Sequence, residues 1–264
     1  MANPPRTLAF ILAPTDQGTL IVNRFDYRLQ ADGQGIGVGH MLLTSGAYDR
    51  DDVATARTLL GLRRQYFGDG VIAVDCGANI GVFTTEWAKH MTGWGSVLAI
   101  EAQERVYYAL AGNIAIANCF NARALHAAAG AAPGSLRIPQ PNYLAPATFG
   151  SLELRQTGQT EFIGQNVSYA EENLVSVPMI SIDSLGLQRL DLLKIDVEGM
   201  EAEVLAGAHE TIGRTLPILI IEHIKSNRDA LIAVLDSHGY RHFFVGMNIL
   251  GVHPSDGTLA HIKN

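Results

Sequence analysis

The sequence predicts a doubly wound α/β fold, an open and mostly parallel sheet with helices on both faces. Two observations predict it. Apolar runs that read as buried strands, such as Val71-Ile72-Ala73-Val74 and Ile218-Leu219-Ile220-Ile221, alternate with runs of helical spacing. These apolar runs also end repeatedly in an acid: Asp75, Glu101, Asp196 and Glu222. Sheets of this kind bind ligands beyond the carboxyl ends of their strands.

Residues 1–70 read as an N-terminal extension or cap, and 71–264 as the α/β domain. Leu8 to Leu12 and Leu20 to Tyr27 have the character of short strands. Residues 32–39 form a glycine-rich turn region with no Lys-Ser/Thr after it, so it is not a phosphate loop. Asp51 and Asp52 precede Val53, Ala56, Leu59, Leu60 and Arg63, a helix with acids in its first turn and basic residues in its last. The segment serves either as a lid or as a plain structural cap.

The first strand, Val71 to Val74, runs into Asp75-Cys76-Gly77-Ala78-Asn79-Ile80-Gly81. A helix beginning at about Asn79 follows, with Ile80, Phe83, Trp87, Ala88 and Met91 at helical spacing. Gly77 permits close approach of backbone to a bound molecule, and Gly81 permits close packing of the helix on the sheet. The pattern is not Gly-x-Gly-x-x-Gly, and a pyrophosphate wants bare amides with no carboxylate beside them. Asp75 suits a ligand with cationic or hydroxyl groups. S-adenosylmethionine carries a sulfonium, an ammonium and ribose hydroxyls. The competing reading is that Asp75 caps the helix and the glycines only make a turn.

Ser96 to Glu101 repeats the pattern, and an acid at the end of a second strand is a usual acceptor for ribose hydroxyls. A helix from about Gln103 to Ala117 sets Val106, Leu110 and Ile114 on one face. The third strand, Ala124 to Ala128, ends in small residues that leave room for an adenine ring; Ala102 and Ala127 belong to this site. Residues 131–178 break the rhythm with Pro133, Pro139, Pro141 and Pro146, and read as a substrate-covering insertion. Val177 to Leu185 restores it. Asp191 to Gly199 is the fourth buried strand, in which Lys194 and Asp196 share a face and Glu198 joins them if the strand persists. Buried charges are tolerated only when paired, so Lys194 and Asp196 are either an ion pair or part of a site. Met200, Val204, Leu205, Ala208 and Ile212 mark the next helix. The fifth strand ends at Glu222-His223, Asn227 or Asp229 opens a helix that Gly239 closes, and Tyr240 to Val245 with Thr258 to Ile262 read as a closing antiparallel pair.

Composition narrows the classes. With 264 residues, 47% of them hydrophobic, the chain buries a sizeable core, and one domain with an extension accounts for its length. The net charge of −7, with no long basic run, argues against a sequence-independent grip on nucleic acid. Cys76 and Cys119 lack metal-ligand spacing and read as free buried thiols in a reducing compartment. No apolar stretch reaches the roughly 18 residues needed to span a membrane, and no signal peptide is evident, so a soluble cytoplasmic protein is expected.

Asp75-Cys76-Gly77-Ala78-Asn79-Ile80-Gly81, Glu101, Leu192-Leu193-Lys194-Ile195-Asp196-Val197-Glu198-Gly199-Met200-Glu201 and Ile220-Ile221-Glu222-His223 resemble the FkbM family of S-adenosylmethionine-dependent methyltransferases. The resemblance covers roughly residues 71–245. Gly46-Ala47-Tyr48-Asp49 resembles a further family segment that usually ends in Tyr-Glu. The family implies a class I methyltransferase (Rossmann-like) fold of seven strands with an antiparallel last hairpin. It also implies O-methylation of hydroxyls on small molecules, secondary metabolites or sugars. By this resemblance Asp75, Gly77, Asn79 and Glu101 bind S-adenosylmethionine, and Asp196, Glu198 and Glu222 line the reacting face; Ala78, Gly81, Ala102 and Ala127, in or beside the same turns, complete the expected cofactor site.

The expected chemistry is in-line methyl transfer to a hydroxyl, with donor and acceptor aligned at roughly 3 Å and the proton removed by a base. Asp196, Glu198, Glu222 and His223 are the candidate bases. A variant in which Asp196, Glu222 and His223 bind Mg²⁺ is disfavoured, since His is a poor ligand for a hard cation. Two rivals are a nicotinamide-dependent oxidoreductase and a non-catalytic cofactor-binding scaffold. A nucleic-acid methyltransferase is weaker still. Asn3-Pro4-Pro5-Arg6 has the form of the Asn-Pro-Pro-aromatic loop of amino-group methyltransferases, but Arg6 replaces the stacking aromatic, and the match reads as chance. The expected partner is a hydroxylated small molecule, with no nucleic acid and no membrane; the oligomeric state, homodimer included, is open.

Overall fold

The computed structural model describes residues 6–262. Asn3, Pro4 and Pro5 of the Asn-Pro-Pro match lie outside the described residues. The chain divides into two compact units, one reaching to Tyr48 and resuming over Ile138–Val175, the other formed by Asp49–Arg137 and Ser176 onward.

In the first unit, β1 (Phe10–Thr15) and β2 (Gly18–Asn23) form an antiparallel hairpin. A two-residue pair, β3 (Arg28–Leu29) and β4 (Gly35–Ile36), leads into α1 (Val38–Ser45). This helix opens inside the glycine-rich run read as a turn. Its amide at Gly39 is capped by the buried Asp26 carboxylate at 2.9 Å, from thirteen residues away. Asp26 also accepts from the Phe149 amide at 3.0 Å, and burial pushes it up to about 6. Asn23 donates to the Tyr143 carbonyl, and Ala147, Phe149, Leu152 and Ile163 make a small core, so residues far apart in sequence share this unit.

The second unit opens with α2 (Arg50–Phe67), β5 (Val71–Cys76), α3 (Val82–His90), β6 (Gly95–Glu101), α4 (Glu104–Ile116) and β7 (Ala122–His126). Two short strands follow, β8 (Ala128–Ala129) and β9 (Gly134–Ile138). Then come β10 (Val175–Ile180), β11 (Leu192–Ile195), α5 (Glu201–Ala206), α6 (His209–Thr215), β12 (Ile218–Glu222), α7 (Arg228–Ser237), β13 (Arg241–Val245) and β14 (Asn248–Val252). The main sheet has seven strands in the order β13-β14-β12-β11-β5-β6-β7. Neighbours from β12 to β7 are parallel, and β14 pairs antiparallel with both β12 and β13. This is a Rossmann-like sheet with the expected antiparallel last hairpin, and its order reverses at β5, where ligands bind in such sheets.

Several boundaries differ from the sequence reading. The closing strand is Asn248–Val252, while Thr258 lies in a 3₁₀ turn, Gly257–His261, capped by the Asp256 carboxylate. The third strand ends at His126. β10 leaves the main sheet and pairs with β8. The helix after Gly199 breaks into α5 and α6 around Gly207 and Ala208.

The core follows strand parity. On one face of the sheet Val71, Ala73, Val97, Leu192, Ile218, Leu250 and Val252 pack against Ala56, Leu59 and Leu60 of α2 and Trp87 and Ala88 of α3. Arg63, at the end of that α2 face, is buried. It donates to Asp191 at 3.1 Å and Asp256 at 2.6 Å, while Arg189 and the Ile72 amide also engage Asp191. Cys76 and Cys119 are free and buried, as read from the sequence. No described helix is long and apolar enough to cross a membrane.

Candidate active site

The same parity that builds the core builds the site. Each strand that buries apolar residues toward α2 and α3 ends in a polar side chain on that face. Val71 and Ala73 are followed by Asp75, Val97 and Ala99 by Glu101, Leu192 by Lys194, Ile218 and Ile220 by Glu222, and, running the other way, Val252 and Leu250 by Asn248. The registers align these ends: Lys194 stands beside both Asp75 and Ile220, and Glu222 beside Asn248.

Asp75 is buried. Thr84 of α3 donates to its Oδ2 at 2.6 Å, Lys194 lies 3.9 Å from Oδ1, and Oδ1 accepts no hydrogen bond. Burial raises its carboxyl, against Lys194 and Thr84, which lower it. The turn that follows is closed on itself. Gly77 and Ala78 donate to the Ile100 carbonyl at 3.0 Å, Asn79 to Glu101 at 3.0 Å, Ile80 to the Asn79 side chain at 2.7 Å and Gly81 to the Ala78 carbonyl at 2.9 Å. The turn ends in α3, whose first residue is Val82 rather than Asn79, because Asn79 and Gly81 take left-handed conformations (φ 51° and 87°).

The two glycines have protein neighbours where the sequence suggests a ligand and the sheet. A Cβ on Gly77 (φ 74°) would stand 1.7 Å from the Asp196 carbonyl oxygen, so the close approach is between the β5 and β11 turns. A Cβ on Gly81 would meet Leu110 of α4 at 2.5 Å, so Gly81 serves helix against helix.

Glu101 is buried, its carboxylate shared between the amides of Asn79 and Gln103 (2.8 Å), and burial pushes it up to about 7. Ala102 and Ala127 are buried beside it, with the Ala127 amide on the Glu101 carbonyl at 3.1 Å.

Across the switch point, Lys194 is buried and donates to Asp196 at 2.8 Å, its ammonium 5.1 Å over the Phe83 ring. Burial pulls its pKa down, but Asp196 and Asp75 outweigh that and hold it charged. The strand does not persist to Glu198. It ends at Ile195, and Glu198 takes a left-handed conformation (φ 55°) in the following turn. The Glu201 carboxylate ties that turn by accepting from the amides of Val197 and Gly199 and from Ser226. The turn nevertheless returns Glu198 to the site: carboxylate oxygens of Asp196, Glu198 and Glu222 lie within 4.8 Å of one another. Lys225 pairs with Glu198 at 2.6 Å. Glu222 keeps one buried oxygen, Oε2, with no donor. Burial first, and then the neighbouring Asp196, push Glu198 and Glu222 both up to about 8.

His223 does not join this group. It follows the last residue of β12 with the opposite parity, its amide bonds to Met247, and its ring meets Phe244 edge-on at 5.9 Å. The site also contains residues that the sequence reading missed. Asn248 donates to Asp52 in the first turn of α2 at 3.0 Å, and Asp52 feels the Lys194 charge. Thr84, Lys225 and Glu201 bear no strand-end signal, since each acts from a helix or loop on a neighbour.

A family model described as the methyltransferase FkbM domain matches residues 75–242. This chain belongs to the FkbM methyltransferase family. Two fungal relatives of this FkbM methyltransferase are similar to it. Methyltransferase 1 of Beauveria bassiana is 29% identical over 66% of this chain and 74% of its own length. Methyltransferase sdnD of Sordaria araneosa is 26% identical over 63% of this chain and 72% of its own. The crystal structure of methyltransferase FkbM from Methylobacillus flagellatus matches with a TM-score of 0.46 and 19% identity. That match covers 73% of this chain, which spans about half, 48%, of the solved one.

Within the FkbM frame the candidate bases divide. Asp196 is held by Lys194 and Glu198 by Lys225, His223 is turned away, and Glu222 alone of the four combines a place in the acid group with a buried oxygen free to accept. The oxygen-only set of Asp196, Glu198 and Glu222 is chemically suited to a hard divalent cation rather than to zinc. Two ammonium groups already stand among these acids.

Proposed function

We propose that this chain is an S-adenosylmethionine-dependent O-methyltransferase acting on a hydroxyl of a small molecule. The observation that carries the cofactor assignment is the turn after β5. Its five successive amides, Gly77 to Gly81, are all committed to protein acceptors, so no bare amide cradle is left for a pyrophosphate. What the strand ends offer instead is carboxylate: Asp75, whose buried Oδ1 accepts no hydrogen bond, and Glu101. That donor set fits a cationic, hydroxyl-bearing nucleoside and argues against a nicotinamide dinucleotide. S-adenosylmethionine, when bound, supplies a methyl group activated by its sulfonium.

The residues here then do the rest. Glu101 accepts from ribose hydroxyls with the lone pairs its two amides leave. Ala102 and Ala127 leave room beside the base. Glu222 Oε2 takes the proton of the acceptor hydroxyl as the carbon–oxygen bond forms, and its raised pKa places it near working pH. Asp196, fixed by Lys194, orients the hydroxyl. Lys194 and Lys225 supply the positive charge that a metal would bring, so the reaction needs no divalent ion. The acceptor is a hydroxylated small molecule, and the protein acts in the cytoplasm.

Calorimetric titration with S-adenosylhomocysteine and then NADH, on wild type and Glu101→Gln, tests this. Binding of S-adenosylhomocysteine, weakened about tenfold or more in the variant, supports the reading. Binding of NADH alone returns the chain to the oxidoreductases, and binding of neither leaves the scaffold reading standing. Once an acceptor is known, loss of turnover in chelator with restoration by Mg²⁺ would overturn the metal-free part.

A further inference from the structure

The face of the sheet opposite the acids is incompletely covered. The crossovers β5–β6, β6–β7 and β11–β12 carry α3, α4 and the α5–α6 pair, but the connection from β7 to β11 carries only short strands and 3₁₀ turns. Parallel sheets ordinarily have both faces covered by crossover helices. Here the registers Ile72 with Ser96 and Leu98 with Arg123, with Leu125 beyond them on the same face of β7, leave a strip without such a helix.

The strip forms a groove of about 470 Å³, within the range of small-molecule sites. Its walls are aliphatic: Ile72, Leu98 and Leu125 from the sheet, Leu185 and Leu187 from the loop before β11. Phe120, 96% exposed, stands at the rim. Arg123 also lines the groove, beside Leu98 in the ladder, and no carboxylate of the described residues pairs with it. The side-chain amide in the lining, Asn121, is spent on the carbonyls of Ala88 and Gly95, both at 2.9 Å.

We propose that this groove is a second binding site, for a medium-chain aliphatic carboxylate, the chain against the leucines and the carboxylate on Arg123. Charge complementarity selects this occupant. A guanidinium bonds a carboxylate through two parallel N–H groups, and here it does so with no competing acid. The groove does not suit a second copy of the chain. Antiparallel self-pairing of β7 about Ala124 would set the two Arg123 side chains diagonally opposite, and like charges there repel. Arg123 and His126 on the free edge of β7 also blunt addition of a foreign strand. The site is independent of methyl transfer, since strand parity puts it on the other side of the sheet.

The test is calorimetric titration of the full chain with decanoate below its micellar range, with decanol and decyltrimethylammonium as controls. Decanoate is expected to bind saturably at one site, at least tenfold tighter than either control. Arg123→Gln should weaken it about tenfold, and Leu187→Glu, half-buried in the loop before β11, should abolish it, with Arg123→Gln keeping the wild-type thermal midpoint. Three outcomes overturn the proposal: no saturation with decanoate, equal binding of the cationic control, or full affinity in Arg123→Gln. Sedimentation at rising concentration completes the test. A dimer that Leu187→Glu dissociates and decanoate leaves intact would assign the groove to a second copy instead.

Discussion

Replacing Gly77 by Ala separates backbone strain from collision at the centre of the site. Gly77 and Gly93 both sit at positive φ, 74° and 84°. Alanine at either pays the left-handed penalty of roughly 1–2 kcal/mol. At Gly93 nothing lies within 4 Å of the new Cβ, so that penalty is the whole effect. At Gly77 the Cβ lands 1.7 Å from the Asp196 carbonyl oxygen, which is backbone and cannot rotate away. To relieve the overlap the two turns must part, which strains the Asp196 amide bond to the Cys76 carbonyl (3.1 Å) and the Gly77 bond to Ile100. Each is worth about 1 kcal/mol. The total for Gly77→Ala is then about 3–4 kcal/mol, against about 1–2 kcal/mol for Gly93→Ala. Urea unfolding of both variants reads the difference directly, and titration with S-adenosylhomocysteine reads the damage to the turn. Equal unfolding midpoints for the two variants would refute the contact and with it the account of why Gly77 is glycine.

Two other perturbations follow from the same geometry. Arg63→Met leaves Asp256 buried without its cation and should destabilise by about 3–5 kcal/mol, seen as a large loss of thermal midpoint; an unchanged midpoint would mean that Asp191 and Asp256 find other partners. Glu222→Gln should act on stability according to pH. Its folded pKa, about 8, lies above the unfolded value, so the wild type is fully stable below about pH 4.3 in this respect and loses that contribution as pH rises through 8. The variant should therefore match wild type near pH 5 and melt about 2–4 °C higher at pH 9, for a discounted effect of about 1 kcal/mol; a midpoint gap that does not change with pH would rule out Glu222 as the titrating group.

The strand ends were legible because two signals coincide in them. An apolar run long enough to be a buried strand stops at an acid, and parity then tells which face the acid takes. Asp75, Glu101, Asp196 and Glu222 all carry that pair of signals, and the Asn227 cap that opens α7 carries the separate local signal of a capping side chain. Parity put Glu198 on the same face only on condition that the strand persists, and family likeness pointed to it as well; the strand has ended before it, and a left-handed turn returns it to the group. His223 misled because adjacency in sequence reverses direction in a strand. The closing hairpin was misplaced for a related reason: Asn248–Val252 is short and carries Gly251, whereas Thr258 to Ile262 has strand-like alternation but is drawn into a turn by the Asp256 cap. Helix α1 was hidden because its capping acid, Asp26, is remote in sequence. Contacts of that kind leave no local pattern, and the same holds for Thr84 on Asp75 and Lys225 on Glu198.

The single parity of the acids also bears on how the sheet finds its register. In each parallel strand the polar group terminates an apolar file, and that file points at α2 and α3. A strand entering the sheet one residue out of step would turn its whole file over. Asp75 or Lys194 would then face the opposite side, away from the Thr84 and Asp196 contacts that compensate them. An uncompensated buried charge costs several kcal/mol, more than the apolar contacts of a four- or five-residue strand could recover by slipping. The groups assembled for chemistry thus also act during folding, as a check that admits only one alignment of the strands.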